Sequence, residues 1–309
     1  MEPAGHSALA AANADYKAIF QEFFGSGIPG IFQLFTEEIQ VEGDAVSLPI
    51  TTSIPQMETW VGDKIFNTLR QYMFTLDVVP HAANLELKRL KVDTDKTGTI
   101  GHALRTFLGR QVQAMDKLVI AKLLANPVGY DEVALLSNSH PHSNSTGDNL
   151  TTDAISHTAV RAMHSQMMAF EDEDGENWGV NPRVLLVGPS LEHEALEISG
   201  ADKPIYFNAS GAEATSSVVG GVVIENVSKG RYEVVVSQRI TGTQWFLIDP
   251  SKPGAKPIVS GVYRSFEPHT QAEMDSHGRF MSDDYRYSLE GDVGFGAGLW
   301  QTIGGKIAA

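Results

Sequence analysis

The sequence predicts an α+β protein in two lobes, and three observations support this prediction. Polar and apolar residues alternate in two stretches within 58–98, as they do in half-buried strands. An apolar stripe with steps of three and four residues runs from Gly101 to Ala125, the pattern of an amphipathic helix. From Ser217 onward, short β-rich runs are separated by turn residues. A length of 309 residues fits one large domain or two linked ones.

The first 57 residues predict an extended arm rather than a compact domain. Glycine and proline interrupt GSGIPGIF, and the strand-like stretch EEIQVEGDAVSLPITTSIP is closed by prolines. A segment of this kind buries too little surface to be stable alone. We therefore expect residues 1–57 to lie on another part of the protein or on a neighbour.

Residues 58–98 predict a long two-stranded hairpin. Its strands are LRQYMFTLDVV and LELKRLKVDTD, with a turn at VPHAAN between them. Two strands cannot build a core on their own, so we expect the hairpin to project and to lie on a neighbour.

The apolar stripe predicts one long helix over 101–125, which Asn126-Pro127 ends. A second helix is expected to begin near Asp153 or Ser156. RVLLVG predicts a central strand because it is a short continuous apolar run. The remaining predicted elements are the strands EVALLSNSH, SVVGGVVIENV, RYEVVVSQ and TQWFLIDP, the brief helix LEHEALEI and a β-rich C-terminal piece.

Charge and composition exclude several classes of protein. The net charge of −15 argues against a conventional nucleic-acid binder, which would show a basic face. The absence of cysteine excludes disulfides, thiolate nucleophiles and cysteine-ligated metals. Residues 1–50 hold seven acids and one base, whereas residues 51–126 hold seven acids and ten bases. This asymmetry has two interpretations: a solvated surface with local ion pairs, or an acidic segment of one subunit that packs on a basic segment of another.

No motif predicts a catalytic, cofactor or metal site. His140 and His142, with His157 and His164 nearby, are the best metal candidates, but loop polarity explains them better because no HExxH motif is present. His193 lies between two glutamates, and neighbouring positions on a helix point in different directions. We therefore predict that the chain is not an enzyme and needs no cofactor.

The glycines of EGDVGFGAG suggest a phosphate-binding loop at first sight. Their spacing is neither G-x-G-x-x-G nor a P-loop, and no lysine follows where one is needed. Close packing of backbone between strands explains these residues at least as well. The glycines concerned are Gly291, Gly294, Gly296 and Gly298.

The order of these segments resembles a known family over roughly residues 58–309. The stretches that carry the resemblance are WVGDKIFNTLRQYMFTLDVV, GHALRTFLGRQVQAMDKLVIAKLLAN, LLSNSHPHSNSTGDNLTTDAISHTAVRAM, GVNPRVLLVGPSLEHEAL and LEGDVGFGAGLW. In this order they resemble the HK97-like major capsid proteins of tailed bacteriophages, most closely the Mu-like prophage major head subunits. The resemblance implies an HK97-like capsid fold. Its parts would be an N-terminal arm (1–57), an E-loop (58–98), a peripheral domain (99–190) with a spine helix (101–125), an axial domain (191–268) and a C-terminal return to the peripheral domain (269–309).

The resemblance also implies a function and its partners. The chain would self-assemble as hexamers and pentamers into the icosahedral head shell that encloses the phage genome. Expected partners are a separate scaffolding protein, a portal, a decoration protein and packaged double-stranded DNA bound without sequence specificity. Assembly would take place in the host cytoplasm, the product would be the virion, and no membrane would be involved.

Two expectations about assembly follow, and three alternatives stay open. We expect Lys88, Arg89 and Lys91 to make contacts between subunits, so reversing them to glutamate should weaken assembly more than folding. Deleting residues 1–40 should leave a foldable subunit that fails to form stable shells. The alternatives are an encapsulin-type shell that stores protein cargo, a soluble α+β enzyme with an unrecognised site, and a tail-tube or decoration subunit, against which the long helix counts.

Overall fold

The computed structural model divides the chain into two compact units. The first comprises 1–48, 75–119 and 259–295, and the second comprises 49–74, 120–258 and 296–309. The residues that the structure describes are 4–25, 30–43, 45–53, 70–94, 99–141, 147–172, 175–200, 205–206, 222–223, 226, 228–252, 254–271 and 284–307. Among their helices, none has the length and hydrophobicity required to span a bilayer.

Six α-helices and twelve strands are described. The helices are α1 (Ala4–Phe24), α2 (Arg89–Asp93), α3 (Thr99–Val112), α4 (Ala114–Leu124), α5 (His157–Met168) and α6 (Glu192–Gly200). The strands are β1 (Thr36–Gln40), β2 (Ala45–Ser53), β3 (Arg70–Asp77), β4 (Val79–Lys88), β5 (Val184–Val187), β6 (Ile205–Tyr206), β7 (Val222–Val223), β8 (Glu233–Val236), β9 (Trp245–Ile248), β10 (Ile258–Gln271), β11 (Asp284–Ala297) and β12 (Ile303–Lys306).

The first unit is built on a four-stranded sheet with the order β1-β10-β11-β4. β11 and β4 are antiparallel, with a register that runs from Asp284 opposite Lys88 to Val293 opposite Val79. Helix α1 packs against α2 and α3. Because alternate side chains of a strand point to opposite faces, one face of β11 joins these helices in a core. The buried residues of that core are Tyr16, Ile19, Val92, Leu104, Leu108, Tyr285, Tyr287 and Leu289.

The extended conformation expected for residues 1–57 is not present at Ala4–Phe24, which form helix α1 and pack on α2 and α3. The ring of Tyr16 in α1 is 1% exposed and packs edge-on against Tyr287, with 4.9 Å between ring centroids. Its hydroxyl donates a hydrogen bond to the Ser288 carbonyl at 2.7 Å. Phe32 and Phe35, which precede β1, are also buried. The N-terminal segment is therefore part of the first unit's interior.

The predicted hairpin of residues 58–98 is also wrong in its pairing. Strand β3 pairs with β2, whereas β4 pairs with β11. The stretch VPHAAN lies inside β4 and forms no turn, and RLKVD forms helix α2. The alternation of polar and apolar residues correctly indicated half-buried strands, but it does not specify their partners. Residues 58–69 and 95–98 lie outside the described residues.

The long helix predicted for 101–125 is present as two consecutive helices, α3 and α4. A turn at Gln113 separates them, although the Lys117 N–H still donates to the Gln113 carbonyl at 3.1 Å. Asn126 follows α4 with a positive φ of 49°, a conformation that asparagine tolerates. The predicted end of the helix at Asn126-Pro127 is confirmed.

The second unit contains a four-stranded sheet with the order β12-β9-β5-β8. β5 is parallel to β8 and antiparallel to β9, and its four residues are all buried. This confirms RVLLVG as a central strand. The predicted helices after Ser156 and at LEHEALEI are confirmed as α5 and α6, and the strands predicted in RYEVVVSQ and TQWFLIDP as β8 and β9.

The strand predicted at EVALLSNSH is wrong. This stretch makes only isolated bridges, between Val128 and Ala134 and between His140 and Gly147. In a strand, the backbone would form hydrogen bonds with a neighbouring strand. Here the Asn126 side-chain amide donates a hydrogen bond to the Leu136 carbonyl and accepts one from the Leu136 N–H. Of the predicted strand SVVGGVVIENV, only β7 and Asn226 lie within the described residues.

Candidate assembly surface

The basic residues Lys88, Arg89 and Lys91 lie where β4 passes into α2. Lys88 is the last residue of β4 and precedes the first residue of α2. Val92 anchors the short helix because its side chain is 3% exposed and belongs to the core. Lys88 and Lys91 are exposed, as is Leu90 at 75%. The structure therefore places a basic surface with one exposed apolar residue at one margin of the first unit.

Lys88 also faces an acid of its own subunit. In the register of β4 and β11, Lys88 is opposite Asp284 and Glu86 is opposite Arg286. The Arg286 guanidinium Nε binds the Glu86 carboxylate at 3.1 Å. Opposite charges on facing positions stabilise a strand pair modestly. Reversing Lys88 would consequently place two negative charges across this pair, so a charge reversal there is expected to destabilise the fold of the subunit itself.

The same face of the sheet carries a polar cleft of about 690 Å³. Its charged groups are already paired: Arg286 binds Glu86, and Glu290 accepts a hydrogen bond from the Ser288 hydroxyl at 2.9 Å. Farther along, Arg264 binds Asp292 at 3.1 Å. These pairs satisfy the charges within the subunit, so the cleft has the character of a solvated sheet face.

Of the histidine candidates for a metal site, His140 and His164 make contacts with other side chains of the fold. Among the residues described, no group of three or more histidine, aspartate or glutamate side chains is placed to hold a metal ion. His140 is fully buried, its Nδ1 lies 2.6 Å from the Asp131 carboxylate, and its ring stacks on Trp300 with 4.3 Å between centroids. His142 lies outside the described residues. His140 therefore holds a loop in place.

Asn149 is a central residue for which the sequence predicted no structural role. Its side chain is fully buried, and its amide N–H groups are shared by the carbonyls of Leu135, Trp300 and Ile303 at 2.8, 3.1 and 3.1 Å. Its amide oxygen accepts from the Ser137 N–H at 2.8 Å. One side chain thus joins the loop after α4 to the C-terminal segment. A lone asparagine in a polar loop gives no signal of such a role.

His164 on α5 is buried against a permanent cation. Arg231 donates a hydrogen bond to its Nε2 at 2.7 Å. Burial, and then the charge of Arg231, lower the pKa of His164 from its usual 6.5. The folded protein therefore holds this ring in its neutral form at neutral pH.

Acidification is expected to destabilise the subunit through His164. Because the folded pKa lies below 6.5, the unfolded chain binds a proton first as the pH falls from 6.5, and the free energy of unfolding decreases through that window. Replacing His164→Gln keeps an acceptor for Arg231 but removes the titration, so its stability should fall less between pH 7 and 5. Chemical denaturation of the unassembled subunit at several pH values measures this. His193→Gln, on an exposed histidine, is the control, and an equal change in both variants would contradict the prediction.

His193 and the glycines of EGDVGFGAG lie where a structural role explains them. His193, Glu192 and Glu194 are all exposed on α6. A Cβ added at Gly294 would lie 2.2 Å from the Asp77 carbonyl oxygen, and one added at Gly298 would lie 2.1 Å from that of Lys256. These two glycines are thus needed where backbone packs against backbone.

Comparisons with known proteins agree with this architecture. A family model described as phage capsid protein matches residues 74–303, well over half of the chain. No curated protein matches the chain significantly. Among solved structures, the chain is similar to a procapsid of bacteriophage JBD30, with a TM-score of 0.53 and 16% identity over 100% of this chain and 77% of that one.

Two further structures are similar over most of both chains. The capsid of Ralstonia phage GP4 gives a TM-score of 0.56 with 13% identity, over 90% of each chain. A structure of Microbacterium phage Oxtober96 gives 0.51 with 13% identity, over 91% of each chain. At such identities the likeness shows the fold, which is the HK97-like α+β capsid fold. By the match of its sequence over 74–303, the chain belongs to the phage capsid protein family.

Proposed function

We propose that this chain is the major subunit of an icosahedral phage head, that it encloses double-stranded DNA, and that it has no enzymatic activity. The observation that carries the proposal is the capsid-family match over residues 74–303, which covers parts of both units. A shell subunit acts through its contacts with other copies, which bury surfaces that one subunit leaves exposed. The Mu-like major head subunits are the subfamily that we propose, on the order of the sequence motifs.

The parts of the capsid subunit are proposed from the strand pairing. The E-loop, expected at 58–98, is assigned to the strand pair of β2 and β3, because β4 belongs to the sheet of the first unit. Exposed Tyr72 and Met73 on β3 support a contact role for this pair. In this proposal the first unit is the peripheral domain and the second unit is the axial domain. Residues 120–190 and 296–309, expected in the peripheral domain, are thereby proposed to belong to the axial domain, and residues 259–268 to the peripheral domain.

The partners of the subunit follow from the same proposal. Copies of the chain form hexamers and pentamers, and a separate scaffolding protein and a portal guide their assembly in the host cytoplasm. The JBD30 capsid is decorated with minor capsid protein trimers, which supports a decoration protein here as well. With a net charge of −15, the chain encloses DNA without binding it tightly or in a sequence-specific manner.

The contents of purified particles test the proposed function. Particles from cells that produce the whole phage should contain double-stranded DNA that resists added nuclease until the shell is opened with denaturant. Particles made from this chain alone, without the packaging machinery, are the matched control and should protect little DNA. Shells from the phage-producing cells that hold a protein cargo and no DNA would contradict the proposal and identify a storage compartment.

A further inference from the structure

The sheet of the first unit has two outer strands, β1 and β4. Within the described part of the chain, each of them pairs along one side only. The free side of an outer strand presents backbone N–H and C=O groups to any strand that approaches it. β4 offers this side over ten residues, Val79–Lys88, which is longer than the usual strand.

The margin at β1 is acidic. Glu37 is half-buried and Glu38 and Glu42 are exposed, and the stretch 36–42 contains no basic residue. None of these three carboxylates makes an ion pair with another residue that the structure describes. This margin therefore carries uncompensated negative charge.

The margin at β4 is basic. Lys88 and Lys91 are exposed, and the acid nearest to them on the strand, Glu86, is compensated by Arg286. Neither Lys88 nor Lys91 makes an ion pair with another residue that the structure describes, and this includes Asp284 opposite Lys88, so their positive charge remains available at this margin. The two margins of one sheet consequently carry opposite charge, and the positive charge lies at the end of β4 and in α2.

This distribution selects which strands can meet. Charges on outer strands commonly prevent aggregation, and the same charge on both margins would prevent every pairing. Opposite charges on the two margins disfavour β1 with β1 and β4 with β4, and they favour β1 with β4 of another copy. Such a contact is heterologous, and heterologous contacts close into rings when the rotation between copies permits.

We infer that β1 of one subunit pairs with β4 of a neighbouring copy, so that the sheets of adjacent first units join at their margins. This inference rests on the proposed function, since it describes one contact of the shell. The pairing would also cover the half-buried apolar side chains of Ile39, Leu85 and Leu87 at the two margins. The partner is a second copy of this chain.

A charge exchange tests the attraction between the margins. The β1 variant is Glu38→Lys with Glu42→Lys. The β4 variant is Lys88→Gln with Lys91→Glu, in which glutamine avoids a second acid opposite Asp284. Each variant alone should lower the fraction of subunits in shells by about tenfold or more, because like charges then meet. The variant with all four changes should recover most of that loss, whereas failure to recover with intact subunit folding would overturn the pairing.

Crosslinking tests the contact itself. The chain contains no cysteine, so introduced thiols are unique. Shells of the Glu38→Cys, Lys88→Cys variant, treated with a short bismaleimide, should yield covalent dimers, trimers and longer series in denaturing gels. Each single-cysteine variant is the matched control and should stay monomeric.

The outcomes separate the pairing from the proposed function. If the unaltered chain forms shells but the double-cysteine variant in shells stays monomeric, the pairing is wrong and the capsid function stands. Dimers in a single-cysteine variant would also overturn the pairing, because like margins would then meet. If the unaltered chain forms no shells at all under phage-producing conditions, both proposals fail.

Discussion

Deletion of residues 1–40 is expected to unfold the first unit, and not only to prevent shell assembly. The deleted segment supplies Tyr16, Phe32 and Phe35, which are 1%, 4% and 0% exposed. Tyr16→Ala alone should lower the free energy of unfolding by about 3–5 kcal/mol, the usual cost of removing a buried aromatic ring. This expectation replaces the one drawn from the sequence, in which the truncated subunit still folds.

Two further variants separate packing from hydrogen bonding at Tyr16. Tyr16→Phe keeps the ring against Tyr287 and loses only the bond to the Ser288 carbonyl, so it should cost about 1 kcal/mol. Lys17→Ala, on the exposed side of α1, should have little effect. Denaturant unfolding of the unassembled subunit measures all three. A stable, cooperative fold in both the truncation and Tyr16→Ala would show that α1 does not belong to the core.

Asn149→Leu is expected to be the most damaging single change in the second unit. It removes the side-chain partner of the Leu135 and Ile303 carbonyls and of the Ser137 N–H, all at an interior position. The Trp300 carbonyl loses one bond but keeps the one from the Ile303 N–H. The free energy of unfolding should fall by about 3–5 kcal/mol, since each buried group left without a partner costs roughly 1–3 kcal/mol. Thermal unfolding followed by circular dichroism measures the change.

Asn177→Leu is the matched control for that experiment. Asn177 is exposed, yet its side chain makes similar bonds, donating to the Met168 carbonyl at 2.8 Å and accepting from the Gly179 N–H. Water replaces these bonds when they are lost, so the cost should stay below about 1 kcal/mol. Equal losses in the two variants would mean that burial of the Asn149 network does not determine its contribution.

Local patterns predicted local structure well. The apolar stripe of 101–125 and the apolar run RVLLVG are patterns among residues that are close in the sequence. The structure contains helices α3 and α4 at the first and strand β5 at the second. The apolar residues Tyr16, Ile19, Phe20 and Phe23 of α1 follow the same helical spacing. The stretch GSGIPGIF directly after them is rich in glycine and proline and favours an extended segment, so the sequence does not predict α1.

Strand pairing depends on residues far apart in the sequence and could not be predicted in this way. β4 pairs with β11, and the Tyr16 hydroxyl reaches a carbonyl 272 positions away. The partners of Asn149 likewise come from both sides of a long stretch of chain. The basic residues of the candidate surface were identified from the sequence, but the acid opposite Lys88 required the register of the sheet.

The mass of the purified, full-length chain tests the capsid account most directly. Sedimentation velocity, with electron microscopy of the same fractions, should show closed shells of megadalton mass in equilibrium with capsomers or free subunits. Raising the protein concentration should shift the distribution toward shells, because assembly follows mass action. A chain that stays a monomer or small oligomer at every concentration, with or without its scaffolding protein, would contradict the account and favour a soluble α+β protein of another function.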